Sequence, residues 1–101
     1  MNTQVYIYST PTCHWCHTAK DYFNENNIKY TDFDVSSNME KLQEMRDKSG
    51  QMGVPVIVID KEEVSENGQK AVKSNVIIGF NKSAIDSLLS LGNFQKLIKK
   101  F

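Results

Sequence analysis

Two hydrophobic periodicities alternate along the first third of the chain. Residues 4–9 alternate valine and isoleucine with tyrosine, a β-rich pattern that a polar turn in residues 9–12 closes. From Cys13 onward the apolar side chains recur at helical spacing, and Asn26-Asn27 is expected to end the helix. The chain is therefore predicted to begin with a strand, a turn and a helix.

The same alternation continues in the middle of the chain. Residues 28–35 have the spacing of a second strand, and a second helix is predicted to follow it. Ser37 and Glu40 stand at the spacing of a capping box, and Gly50 suits the left-handed position after the helix. The predicted order up to this glycine is βαβα.

The second half of the chain predicts a hairpin and a helix. The β-branched run 56–59 suits a strand that is buried on both faces, and 76–78 is a second run of this kind. The Asn-Gly pair at 67–68 is a strong hairpin signal, so the two strands are predicted to be antiparallel neighbours. A third helix is predicted over 81–91, and residues 93–101 repeat the helical pattern.

These elements predict one α/β domain over residues 1–101. The first helix must cross over to bring the second strand parallel to the first, and the hairpin completes a mixed four-stranded sheet flanked by three helices. The tail leaves room for an extra C-terminal helix. A domain of this length buries about two-thirds of the surface of its unfolded chain, so its core requires neither metal nor structural disulfides.

Charge and cysteine content narrow the classes of function. Twelve Lys and Arg residues balance twelve Asp and Glu residues, so the chain lacks the basic excess that nucleic-acid or anionic-membrane partners favour. Residues 1–4 lead directly into the first strand without the pattern of a signal peptide. We therefore expect a cytoplasmic monomer that binds neither nucleic acid nor membranes. Its two cysteines, Cys13 and Cys16, are too close together to staple distant segments and are expected to serve chemistry.

A C-x-x-C motif lies where the first strand gives way to the first helix: Cys13, His14, Trp15 and Cys16. Unpaired backbone N–H groups and the helix dipole favour a thiolate at Cys13. Cys16 lies just under one helical turn later, so its sulfur can reach that of Cys13. We predict that Cys13 attacks a substrate disulfide and that Cys16 resolves the mixed disulfide, a cycle that needs no metal or organic cofactor.

The two residues between the cysteines are expected to tune the redox balance. A protonated His14 would favour the thiolate and make the pair more oxidising. Trp15 is expected to cover the sulfurs or to contact the substrate, although its helical spacing also allows a place in the core. His17 is assigned no role, since such a histidine is commonly only a surface residue.

Other chemistry is compatible with the same residues. With His17 the motif has the C-x-x-C-H pattern of c-type haem attachment, but it lacks an export signal and stands between a strand and a helix. A zinc site could use both cysteines and the histidines, and an iron-sulfur cluster could bridge two chains. A metal-binding or cluster-binding module is the alternative from another class of function.

The chain resembles the glutaredoxin family over residues 4–91. The resemblance rests on the first strand with its C-x-x-C motif, on Ala19-Lys20, on Val54-Pro55 and on Ile78-Gly79-Phe80. It implies a thioredoxin fold, Cys13 as the nucleophile and a cis peptide bond before Pro55. In the predicted order, the turn before the third strand lies near the start of the first helix, where a cis proline would expose backbone for a substrate strand. The residues expected to bind substrate are Thr12, Val54, Pro55, Gly79 and Phe80.

Three departures from the family pattern concern glutathione. His14-Trp15 replaces the usual Pro-Tyr, residues 9–12 lack the usual Lys or Arg, and residues 79–82 lack the acidic pair that holds the glutamyl end. We therefore expect a thioredoxin-reductase-type flavoprotein, rather than glutathione, to reduce the protein. The expected substrates are protein or small-molecule disulfides. A dedicated electron donor to a reductase such as ribonucleotide reductase is the alternative among enzymes.

Overall fold

The computed structural model describes residues 3–89. Within this range the elements are β1 (Thr3–Ser9), α1 (His14–Glu25), β2 (Thr31–Asp34), α2 (Met39–Ser49), β3 (Val56–Val64), β4 (Lys70–Ile78) and α3 (Lys82–Leu89). The predicted order of strands and helices up to α3 is confirmed. The predicted last residues of the third helix, 90–91, and the predicted tail helix over 93–101 lie outside the described residues. None of the helices in residues 3–89 has the length and apolar content needed to cross a membrane.

The strands form one mixed sheet in the order β2-β1-β3-β4. β1 and β2 are parallel, so α1 crosses over between them, and β3 runs antiparallel to both of its neighbours. Ser9 pairs with Asp34, and Val56 pairs with both Tyr8 and Ile78. The carboxyl ends of β1, β2 and β4 and the amino end of β3 therefore meet at one end of the sheet, which we call the Ser9 end.

The central strand β3 separates two hydrophobic clusters. Because side chains alternate along a strand, Ile57 and Ile59 pack on one face with residues of α1 and α3. Val56 and Val58 pack on the other face with residues of α2. All four side chains are fully shielded from solvent, which confirms the prediction of a strand buried on both faces.

The start of α2 differs from the predicted capping box. Asn38, rather than Ser37, is the N-cap residue, and its side chain accepts a hydrogen bond from the backbone N–H of Lys41 at 3.1 Å. The Ser37 prediction is wrong because its backbone N–H and its hydroxyl both donate to the carbonyl of Asp34, in the turn after β2. Gly50 takes the left-handed position predicted for it, with φ at 74°.

The β3–β4 hairpin is longer than its two hydrophobic runs. The ladder continues to the pair of Val64 and Lys70, so the charged positions 60–63 and the largely polar segment 70–75 belong to the strands. Gly68 adopts a φ of 83° at the end of the turn, where its N–H donates to the carbonyl of Ser65 at 2.9 Å. Backbone pairing rather than apolar burial extends these strands, and the hydrophobic pattern therefore underestimates their length.

Candidate active site

Cys13 stands at the start of α1, at the Ser9 end of the sheet. It is the N-cap residue, with backbone angles φ −83° and ψ 114°, and its carbonyl accepts a hydrogen bond from the N–H of His17. Its Sγ accepts a hydrogen bond from the backbone N–H of Cys16 at 3.1 Å. Negative charge on this sulfur is therefore favoured by a helix N–H group and by the positive end of the helix dipole.

Cys16 lies behind Cys13 on the buried side of α1. Its side chain has no exposed surface, whereas Cys13 is partly exposed. Burial raises the pKa of the Cys16 thiol to about 12, and its hydrogen bond with Cys13 adds to the rise. The two sulfurs thus differ in access: a substrate can reach Cys13, whereas Cys16 is a buried thiol that is protonated at neutral pH.

His14 and Trp15 are both exposed between the cysteines. Their rings meet edge to face with centroids 5.4 Å apart, and Trp15 keeps 58% of its surface exposed. The core is therefore excluded as the place of Trp15, because the buried stripe of α1 runs through Cys16, Ala19 and Phe23. An exposed indole in the first turn of α1 leaves a large apolar surface for a substrate to contact.

The turn before β3 also lies at the Ser9 end. The Val54-Pro55 peptide bond is cis, as the family resemblance implied, and the carbonyl of Pro55 accepts a hydrogen bond from the N–H of Gly79 at 2.8 Å. Pro55 is buried and Val54 is half-buried. No hydrogen bond within residues 3–89 engages the backbone of Val54. This turn thus combines a buried cis-proline with the backbone of Val54, which has no hydrogen-bond partner in the described part of the chain.

The other two residues expected to bind substrate, Thr12 and Phe80, differ in their exposure to solvent. Thr12 is exposed directly before Cys13. Phe80 is half-buried, and its ring packs against that of Tyr22 on α1 with centroids 5.6 Å apart. Phe80 therefore helps to dock the start of α3 on α1, a structural contact that the sequence did not reveal.

A polar cluster that sequence reasoning missed lies next to Cys16. Nζ of Lys20 lies 2.9 Å from Oδ2 of Asp32, and the hydroxyl of Ser9 donates to Oδ1 of the same carboxylate at 2.5 Å. Lys20 stands one helical turn after Cys16, and its positive charge opposes the rise in the pKa of the Cys16 thiol. Periodicity does not signal this cluster, because its members come from β1, α1 and β2.

His17, for which the sequence predicted no role, contacts the loop that precedes the C-x-x-C motif. Its Nε2 lies 2.8 Å from the carbonyl oxygen of Pro11. In the same loop, the backbone N–H of Cys13 donates to the carbonyl of Thr10 at 3.3 Å. Both contacts hold the segment that leads into Cys13 against the first turn of α1.

Metal binding is the competing chemistry for a C-x-x-C motif. Within residues 3–89, no group of three or more His, Cys, Asp and Glu side chains is placed to share a metal ion. The motif supplies two thiols, so a cluster of the usual four-cysteine type would need ligands from a second chain.

Several known proteins are similar to this chain. The family model described as Glutaredoxin matches residues 5–64. An uncharacterized glutaredoxin-like 8.6 kDa protein in the rubredoxin operon of Clostridium pasteurianum is 45% identical over 83 residues, which cover 82% of this chain and 93% of that protein. Glutaredoxin 3 of Escherichia coli is 33% identical over 60 residues, which cover 59% of this chain and 72% of that protein. The solved structure of a glutaredoxin from Archaeoglobus fulgidus matches with a TM-score of 0.66 at 14% identity and covers 86% of each chain.

The structural and the sequence similarities support different conclusions. At 14% identity, the match to the Archaeoglobus fulgidus structure concerns the fold alone, and it confirms the predicted thioredoxin-like fold class. The family model spans more than half of the chain and includes Cys13 and Cys16. This chain therefore belongs to the glutaredoxin family of thiol oxidoreductases.

Proposed function

We propose that the protein is a dithiol disulfide reductase in which Cys13 is the nucleophile and Cys16 is the resolving thiol. The observation that carries the proposal is the asymmetry of the two sulfurs. Cys13 is accessible and accepts a hydrogen bond from the helix N–H of Cys16, whereas the Cys16 side chain is fully buried. This arrangement favours a thiolate where the substrate arrives and keeps the second thiol in reserve behind it.

The proposed cycle consists of two exchanges. The thiolate of Cys13 attacks a substrate disulfide, a bond forms between Cys13 and one substrate sulfur, and the other substrate sulfur leaves as a thiolate that takes up a proton. Cys16 then loses its proton and attacks Cys13, which forms the Cys13–Cys16 disulfide and releases the second substrate thiol. The substrate is reduced by two electrons, and the two cysteines are oxidised.

We place the substrate at the Ser9 end, between the first turn of α1 and the turn before β3. The backbone of Val54 has no hydrogen-bond partner within residues 3–89 and is suited to pair with an extended polypeptide. Thr12, Pro55 and Gly79 complete the proposed contact surface, with Phe80 behind it. This geometry favours protein disulfides as substrates. In this proposal an exposed imidazole at His14 tunes the redox potential, and exposed Trp15 contacts the substrate.

The charges near the site favour a flavoprotein reductant over glutathione. Residues 9–12 carry no basic side chain, and the ammonium of Lys20 is already paired with Asp32. In the segment 79–82, where the family commonly carries acidic residues, this chain has no carboxylate for the ammonium of glutathione, and its Lys82 is paired with Asp86 at 3.2 Å. Each missing charge-assisted hydrogen bond costs about 1.5–3 kcal/mol of binding, or at least about a tenfold loss of turnover efficiency.

We therefore expect the protein to be recharged poorly by glutathione with glutathione reductase and efficiently by a thioredoxin-reductase-type flavoprotein. The measurement compares kcat/KM for the two routes with one disulfide substrate. The matched variant Thr10→Lys adds a cation before Cys13 and should raise the glutathione route while leaving the flavoprotein route in place. Efficient turnover with glutathione and none with the flavoprotein would contradict this choice of reductant.

We also propose a cellular compartment and an oligomeric state for the protein. A dithiol that acts as a reductant suits a reducing compartment, so we propose that one domain of residues 1–101 works as a monomer in the cytoplasm. A narrower role, as electron donor to a single enzyme such as ribonucleotide reductase, uses the same cycle. Turnover of that enzyme with the reduced protein as sole electron source tests the narrower role.

A further inference from the structure

We propose that Lys20, held in place by Asp32 and Ser9, supplies the positive charge that favours the thiolate of Cys16 when Cys16 resolves the mixed disulfide. The inference rests on the proposed function and extends it to a residue outside the C-x-x-C motif. It assigns Lys20 to the second exchange of the cycle and gives it no part in the first.

The second exchange has an electrostatic problem that the first does not have. Cys16 must lose its proton before it can attack, yet it lies in the core without any exposed surface. Burial raises the pKa of its thiol to about 12, so very little thiolate is present at neutral pH. A nearby cation offsets part of this cost, because an opposite charge favours the ionised form.

Lys20 is placed to provide that charge. It stands four residues after Cys16, so the two side chains lie on the same side of α1. Its side chain is only 19% exposed, and its Nζ contacts both Oδ2 of Asp32 at 2.9 Å and the hydroxyl oxygen of Ser9 at 3.4 Å. Ser9 is itself buried at the end of β1. The ammonium is therefore anchored between α1 and the sheet instead of moving freely in solvent.

Among the described residues around Cys16, Lys20 is the cation whose charge lowers the pKa of the Cys16 thiol. Cys16 faces Cys13, whose hydrogen bond and charge both disfavour the Cys16 thiolate. It also faces the backbone of Thr10, whose hydrogen bond favours the thiolate more strongly than the charge of Lys20 does.

From β2 and the loop before it, Asp32, Asp34 and Tyr30 interact with the charge of Lys20. Burial is the largest influence on the ammonium of Lys20 and lowers its pKa. The hydrogen bond and the charge of Asp32, together with Tyr30 and Cys16, outweigh burial, so the pKa of Lys20 is raised and the charge persists at neutral pH.

The test separates the two exchanges with the chromogenic aromatic disulfide DTNB at one equivalent per protein. In the first phase Cys13 attacks DTNB, forms a mixed disulfide and releases one coloured thiolate. In the second phase Cys16 gives its proton to solvent and attacks Cys13, which forms the Cys13–Cys16 disulfide and releases the second coloured thiolate. Rapid-mixing absorbance measures both rates across neutral and mildly alkaline pH.

Lys20→Gln keeps hydrogen-bonding groups for Asp32 and removes the charge. Loss of an adjacent opposite charge lowers the thiolate fraction about tenfold, and the greater nucleophilicity of a more basic thiolate recovers about 0.4–0.5 of that loss on a logarithmic scale. We therefore expect the second phase to become about threefold slower or more at neutral pH, with an unchanged first phase. Lys20→Arg, which retains the charge, should restore the second phase. Lys48→Gln, on α2, is the matched control and should change neither phase.

Asp32→Asn gives a second test with a different expectation. It keeps an acceptor oxygen for Lys20 but removes the charge that opposes the ammonium, so the second phase should not become slower. A merely structural role of the cluster predicts slowing in Asp32→Asn and Lys20→Gln alike, and that result would overturn the inference. An unchanged second phase in Lys20→Gln would also overturn the inference about Lys20. The dithiol cycle would remain supported in that case, because both exchanges would still occur. A missing second phase in the unsubstituted protein would refute the dithiol cycle together with this inference.

Discussion

Replacing Cys13 with serine should abolish disulfide reduction, with a loss of more than about a thousandfold in kcat/KM. Serine at the start of α1 has no thiolate to offer, and the remaining sulfur of Cys16 is fully buried and protonated at neutral pH. The first exchange therefore has no nucleophile that a substrate can reach. Turnover of a protein disulfide in the presence of the working reductant measures the loss.

Cys16→Ser is the matched control for this variant, because it removes the other sulfur by the same change. It should retain the attack by Cys13 and stop at the mixed disulfide, so covalent adducts with disulfide substrates should accumulate. Non-reducing electrophoresis and mass spectrometry of the two variants compare the adducts directly. If Cys13→Ser captures substrates as well as Cys16→Ser does, the roles assigned to the two cysteines are wrong.

Ile57→Ala, a truncation in the central strand, should cause a large loss of stability. The side chain of Ile57 has no exposed surface and packs in the cluster between the sheet and the helices α1 and α3. Truncating a buried isoleucine costs about 2–5 kcal/mol through lost burial and a residual cavity. A domain of this kind is stable by only about 5–15 kcal/mol in total. Urea unfolding of the reduced protein measures the difference in the free energy of unfolding.

Ile78→Ala makes the same chemical change at the end of the neighbouring strand β4. Ile78 keeps 58% of its surface exposed, so this variant should lose about 1 kcal/mol or less. The contrast between the two isoleucines tests whether β3 is the central, doubly covered strand of the sheet. Equal losses in the two variants would contradict the assigned core.

Local patterns in the sequence predicted most of the fold because they report local physics. The change of period at Cys13 located the first helix, and the β-branched run 56–59 identified the doubly buried strand. Gly50 and the Asn-Gly pair at 67–68 marked left-handed backbone positions that few other residues occupy readily. Each of these features depends on a few adjacent residues and needs no knowledge of tertiary contacts.

Features that depend on competing or distant contacts were not predicted. The cap of α2 falls on Asn38 because the turn after β2 already uses Ser37, a competition between two local motifs that spacing alone does not resolve. The cluster of Lys20, Asp32 and Ser9 joins three elements and forms only once α1 has crossed over the sheet. The exposure of Trp15 likewise follows from which stripe of α1 faces the sheet.

The central claim is that Cys13 and Cys16 work as a dithiol that one substrate disulfide oxidises to an intramolecular disulfide. Its most direct test is a single turnover of the reduced, metal-free protein with one equivalent of a disulfide substrate, followed by peptide mapping and by measurement of the released thiols. We expect one Cys13–Cys16 disulfide and two substrate thiols for each substrate molecule consumed. Cysteines that remain reduced beside an unchanged substrate, or exchange that occurs only when the motif holds zinc or an iron-sulfur cluster, would contradict the central claim.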